Sequence, residues 1–153
     1  MGWRSKPQQP PHVPDEWPEP SLEPRVLVEN ADDFARWATR RLLERSGFEV
    51  ADCSGPDAGH GWQCPVTQGE PCTQVEGADA IVFSLDLRSD EGREILASHR
   101  QELSERPVVA EVTAPEAGRH RDLLDDCAVV NPSGLGDLVG AVVSALKDRS
   151  FDH

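Results

Sequence analysis

The sequence predicts an α/β domain: a five-stranded parallel sheet, doubly wound by helices in (βα)5 order. Three observations carry that expectation. Short apolar runs rich in β-branched residues recur along the chain, at residues 26–28, 48–50, 80–85, 108–112 and 128–130. Stretches with helical spacing of apolar residues separate them, and strands that alternate with helices pair in parallel through right-handed crossovers. The run 80–85 (Ala-Ile-Val-Phe-Ser-Leu) is apolar on both faces, as a strand covered by helices on both sides must be.

Each element follows in order. Val26, Leu27 and Val28 form the first strand, and Asn30, Ala31, Asp32 and Asp33 favour a helix start before Phe34, Trp37, Ala38 and Leu42 at helical spacing. Gly47 stops that helix, and Phe48, Glu49 and Val50 open the second strand. After the third strand, a helix over 90–105 places Ile95, Leu96, His99 and Leu103 on one side, and Pro107 punctuates its end. Residues 108–112 form the fourth strand, 116–126 a short polar helix and 128–130 the fifth strand. The last helix carries Leu135, Leu138, Val139, Val142 and Leu146 on one stripe. In such a sheet, with strand order 2-1-3-4-5, ligands collect at the carboxyl ends of the strands near the switch point between strands 1 and 3.

Composition bounds the function. The chain has 153 residues, 28 acidic against 15 basic, for a formal net charge of −13. That balance argues against nucleic acid and anionic membrane as partners, because both require phosphate neutralisation. No segment approaches the roughly 18 apolar residues of a membrane span, and no signal peptide opens the chain, so a cytoplasmic protein is expected. Residues 1–24 hold seven of the thirteen prolines and should form an extended or disordered tail, with Trp3 and Trp17 either anchoring a partner or folding back on the domain of residues 25–150.

The strand ends carry a resemblance. Glu29-Asn30 follows strand 1, Glu91-Gly92 follows strand 3, Thr113-Ala114 strand 4 and Asn131-Pro132 strand 5. Over residues 25–149 the chain resembles the receiver domain of bacterial two-component response regulators, a flavodoxin-like fold whose landmarks at those places are an acidic pair, Asp-Gly, Ser/Thr-Ala and Lys-Pro. A working receiver needs an aspartate that accepts phosphoryl, two acidic side chains for Mg²⁺, a hydroxyl and a lysine. Eight residues before Gly92 the family spacing places the acceptor at Ser84, a weak nucleophile without a neighbouring base. Glu29 keeps one carboxylate, Asn30 has lost the other, Asn131 replaces the lysine, and Thr113 is retained. A two-residue slip would make Asp86 the acceptor and preserve the face of each side chain. The resemblance implies a degenerate pocket of Glu29, Asn30, Ser84, Asp86, Thr113 and Asn131, and a pseudo-receiver that binds rather than catalyses. It also implies association with a protein partner or with itself, through residues 116–149, or capture of a small ligand.

Between strands 2 and 3 the family helix is replaced by a loop, residues 53–78, in which four glycines and three prolines separate Cys53 from Cys72. One helical turn is expected to return near residues 73–76. Three roles stand open for its chemistry. Cys53, His60, Cys64 and Cys72 are a set that Zn²⁺ would accept, although C-x₂-C knuckles are absent. Cys64 and Cys72 could form a reversible disulfide. The cysteines could also serve as small buried hydrophobes. Cys127 opens strand 5 at the opposite edge and end of the sheet and should join none of these. The function expected is therefore a non-enzymatic, phosphorylation-independent stand-alone signalling module with no resident cofactor. The alternatives are a redox or metal sensor through the loop, and a phospho-accepting receiver using Asp86 with Mg²⁺.

Overall fold

The computed structural model describes Trp17 and residues 22–56, 64–132 and 134–151; His60 and most of the proline-rich segment lie outside the described residues. Five strands, β1 (Arg25–Glu29), β2 (Glu49–Cys53), β3 (Ala80–Phe83), β4 (Val108–Glu111) and β5 (Ala128–Val130), form one parallel sheet in the order β2-β1-β3-β4-β5. The doubly wound five-stranded sheet read from the sequence is the architecture observed. β1 lies between β2, with Val28 opposite Asp52, and β3, with Val28 opposite Val82.

Alternation along the strands sorts side chains into two layers. Val26, Val28, Val50, Val82 and Val109 face Leu43 of α1 (Asp33–Arg45) and Leu138 and Val142 of α6 (Leu135–Phe151). Leu27, Ala51, Cys53, Ile81, Phe83 and Ala110 face the other side. There they meet α3 (Asp90–His99), through Ile95 and Leu96, and the short helices α2 (Thr73–Gly77), α4 (Ala114–Arg119) and α5 (Arg121–Leu124). Asp32 caps α1 by accepting the Ala35 amide, and Ser89 caps α3 by accepting that of Gly92.

Three elements differ in extent from the expectation. The helix expected over 90–105 ends at His99 and tightens into a 3₁₀ turn, Arg100–Glu102, where the Arg100 guanidinium donates to the Leu123 carbonyl. The helix expected over 116–126 begins earlier and is broken. Thr113 caps it, Pro115 suits its first turn, and the backbone leaves helical geometry at His120. The loop after β2 holds a 3₁₀ turn, Pro65–Gln68, and α2, a helix of five residues close to the turn expected there. Trp17 folds back on the domain: its indole donates to the Gln74 carbonyl at 2.9 Å, and the Arg25 guanidinium carbon lies 5.5 Å from the ring centroid.

Candidate functional site

The carboxyl ends of β1, β3 and β4 place two carboxylates on opposite faces of the sheet. Glu29 shares the face of Leu27, so its side chain enters the α3 layer. Both its oxygens lie near His99 Nε2, at 2.9 and 3.0 Å, and both residues are buried. The imidazole also meets Phe83 edge to face, with centroids 6.4 Å apart. His99 is a partner that sequence reasoning placed only on an apolar stripe. Its spacing from Ile95 and Leu96 carried the signal that it is buried, while its pairing with Glu29 spans 70 positions and is tertiary.

The second carboxylate, Glu111, was not anticipated. It ends β4 on the face of Val109, toward α1 and α6, and it is buried. The Ser84 hydroxyl donates to Glu111 Oε1 at 2.6 Å. Burial pushes the Glu111 carboxyl above the ordinary carboxylate range, and the bond from Ser84 only partly offsets this. Thr113 uses its hydroxyl to cap α4, accepting the Glu116 amide at 3.4 Å. Asn30 is likewise engaged: its amide donates to the Cys53 carbonyl, and its Oδ1 accepts the Asp32 amide at 2.9 Å. Asn131 is exposed beyond β5, where its carbonyl accepts the Gly134 amide.

Asp86 stands apart from all of these. Leu85 and Leu87 on either side of it are buried, so alternation turns Asp86 outward. Its carboxylate accepts the Arg88 amide at 2.8 Å and pairs with the Arg88 guanidinium at 3.1 Å, bonds that hold it below its ordinary value. Its carbonyl accepts the Ser89 hydroxyl at 2.9 Å, and a Cβ on Gly92 would sit 2.0 Å from that same carbonyl. The first turn of α3 thus packs on the Asp86 backbone so closely that only glycine fits at position 92.

Cys53, opposite Glu29 in the neighbouring strand, Cys64 and Cys72 are free thiols, and Cys53 and Cys64 belong to the core. Cys53 Sγ accepts the Gly55 amide at 3.3 Å. Desolvation, with the nearby Glu29 charge, pushes all three thiols upward, which disfavours the nucleophilic thiolate. Cys127 lies at the far edge, before β5. Among the described residues no group of three or more His, Cys, Asp or Glu is arranged to hold a metal ion.

No family model matches the chain, and no curated protein matches it. Solved structures do. A CheY-like response regulator receiver domain from Methanospirillum hungatei is 21% identical, with a TM-score of 0.56, and the match covers 86% of this chain and 99% of that one. A response regulator receiver domain from Clostridium thermocellum is 16% identical at a TM-score of 0.63, covering 85% and 99%. The response regulator TrrA from Thermotoga maritima, in complex with Mg²⁺-BeF, is 14% identical at a TM-score of 0.58, covering 80% and 98%. The fold is that of a receiver domain.

Within this receiver fold the residues at the strand ends do not suit the magnesium that the resemblance implies. Mg²⁺ requires converging hard oxygen donors, carboxylates above all. Glu29 is committed to His99 on the α3 face, Glu111 accepts from Ser84 on the α1 face, and Asp86 turns outward to Arg88. Glu29 and Asp86, the two carboxylates among the six positions read from the sequence, each already hold a partner of their own.

Proposed function

We propose that this chain is a pseudo-receiver: a signalling or regulatory module that acts by association, without phosphorylation and without catalysis. The observation that carries this reading is the Ser84–Glu111 bond. Where a receiver would present an acceptor carboxylate, this chain presents a hydroxyl already donated to a buried acid with a raised pKa. A serine hydroxyl cannot form the acyl phosphate that a receiver's acceptor carboxylate forms, and here that hydroxyl is already engaged with Glu111. The other components support the same reading. Asn131 brings no cation to neutralise a phosphoryl group, and Asp86 is held by Arg88 outside the strand-end cluster.

The surface implied for association is built from α4, β5 and α6. β5 is an edge strand of three residues with Val129 45% exposed, which leaves a part-apolar border for a protein partner. No helix among the described residues is long and apolar enough to cross a membrane.

The test is incubation of the full chain with acetyl phosphate and Mg²⁺, read by intact mass. The expected outcome is no phosphoryl adduct. An adduct that disappears in Asp86→Asn would replace this reading with a phospho-accepting receiver that uses Asp86 in a rearranged loop.

A further inference from the structure

The exposed face of α1 carries an aromatic pair. Phe34 is 74% exposed and Trp37 58%, their ring centroids are 6.0 Å apart, and the Arg41 guanidinium carbon lies 6.0 Å from the Trp37 centroid. The spacing i, i+3, i+7 lines these three side chains along one face of the helix, opposite the buried Thr39 and Leu43. The other large apolar side chains exposed among the described residues, Leu22 and Val129, lie on other segments. Tryptophan, phenylalanine and arginine are enriched at protein interfaces, and two neighbouring aromatics left in water are unfavourable for an isolated helix face.

We propose that a second copy of this chain covers that face, with the two α1 helices packed antiparallel about a two-fold axis. Charge selects this occupant. The chain carries −13 overall, so two copies repel over most of their surface. Residues 32–45 are different, with four arginines against Asp32, Asp33 and Glu44, so the net repulsion between copies is relieved there. The helix is also polar in the required sense. Its acids Asp32 and Asp33 stand at the start, and at the end Arg40, Arg41 and Arg45 outnumber Glu44, so an antiparallel copy sets the acidic end against the net basic end twice. An axis passing between positions 37 and 38 brings Trp37 against its own counterpart. The same axis places Arg41 of each copy over Phe34 of the other, repeating the contact that Arg41 already makes with Trp37.

A contact made by one helix of 13 residues, about 20 Å long, is at the small end of specific interfaces, so the dissociation constant should be roughly 10–100 µM. Sedimentation velocity of the full chain, from tenfold below to tenfold above that range, tests it. The expected result is a monomer–dimer equilibrium that weakens by at least about tenfold in Trp37→Ala and in Phe34→Ala, and that Leu22→Glu, at an exposed position on another segment, leaves unchanged. Both α1 positions are solvent-exposed, so far-UV circular dichroism should match wild type. Four results would each overturn the proposal: wild type monomeric throughout, Trp37→Ala as dimeric as wild type, Leu22→Glu abolishing the dimer, or an open series of higher oligomers. None of them bears on the phosphodonor result, so this proposal and the pseudo-receiver reading fail separately.

Discussion

Glu111 is the residue whose chemistry is most altered by its surroundings. Its ordinary value is 4.5, and burial raises it in the folded chain. A raised carboxyl contributes stability that is fully present below the unfolded value and is lost as pH rises through the folded one. At pH 8, then, burial opposes the ionisation of native Glu111, whereas near pH 4 protonation in both states removes most of that opposition. Glu111→Gln keeps an acceptor for Ser84 and removes the charge. Thermal unfolding should show this variant more stable than wild type at pH 8, with the difference vanishing near pH 4. Equal melting temperatures at pH 8 would mean that Glu111 is not desolvated. The same scale explains why the site was only partly legible. Glu29, Ser84 and Thr113 could be named because strand ends are visible in the sequence. Their partners could not: Glu111 lies 27 positions from Ser84 and His99 lies 70 from Glu29. Single side chains carry no signal of contacts at that separation.

Among the elements, α1 is fastened to the sheet by charge as well as by Leu43. Asp52, in β2, is buried and takes Arg40 at 2.9 Å and Arg36 at 3.4 Å, and Arg36 also donates to the Asn30 carbonyl. Removing Asp52 leaves Arg36 with Asp33 and Arg40 with Glu44, both more exposed partners, so the buried end of each pair loses its counter-charge. Asp52→Ala is therefore expected to cost ~2–3 kcal/mol in urea unfolding, less than a wholly buried pair would because the Arg40 side chain is 30% exposed. A loss below about 0.5 kcal/mol would show that the arginines simply turn to solvent. Element boundaries show where local signals stop. The start of α3 at Asp90 was legible and Gly92 was recognisable as a landmark, but the Ser89 cap and the Asp86 carbonyl against which α3 packs were not. The helix ends at His99 rather than 105 because the chain turns there to bring Arg100 to Leu123.

At the scale of the whole molecule, the net charge of −13 is spread unevenly. Residues 51–80 contain five acidic side chains and no lysine or arginine, whereas α1 concentrates arginine. Raising ionic strength from about 0.01 to 0.15 M shortens the screening length from roughly 30 to 8 Å, which weakens long-range self-repulsion more than the close pairs at Asp52 and Asp79. The melting temperature should rise by roughly 2–4 °C over that range. A fall would show that the ion pairs outweigh the repulsion. What the sequence determined by itself is the architecture. Apolar periodicities of two and 3.6, punctuated by Gly47 and Pro107, allow few arrangements other than a doubly wound parallel sheet, because each periodicity dictates which faces must be covered. What only the tertiary structure decided is the chemistry of the strand ends. Whether a carboxylate meets a histidine, a serine, an arginine or another carboxylate depends on the face it occupies and on neighbours from distant strands. Those contacts hold Glu29, Ser84 and Asp86 each with a partner of its own, and Asn30 and Thr113 as caps of turns and helices.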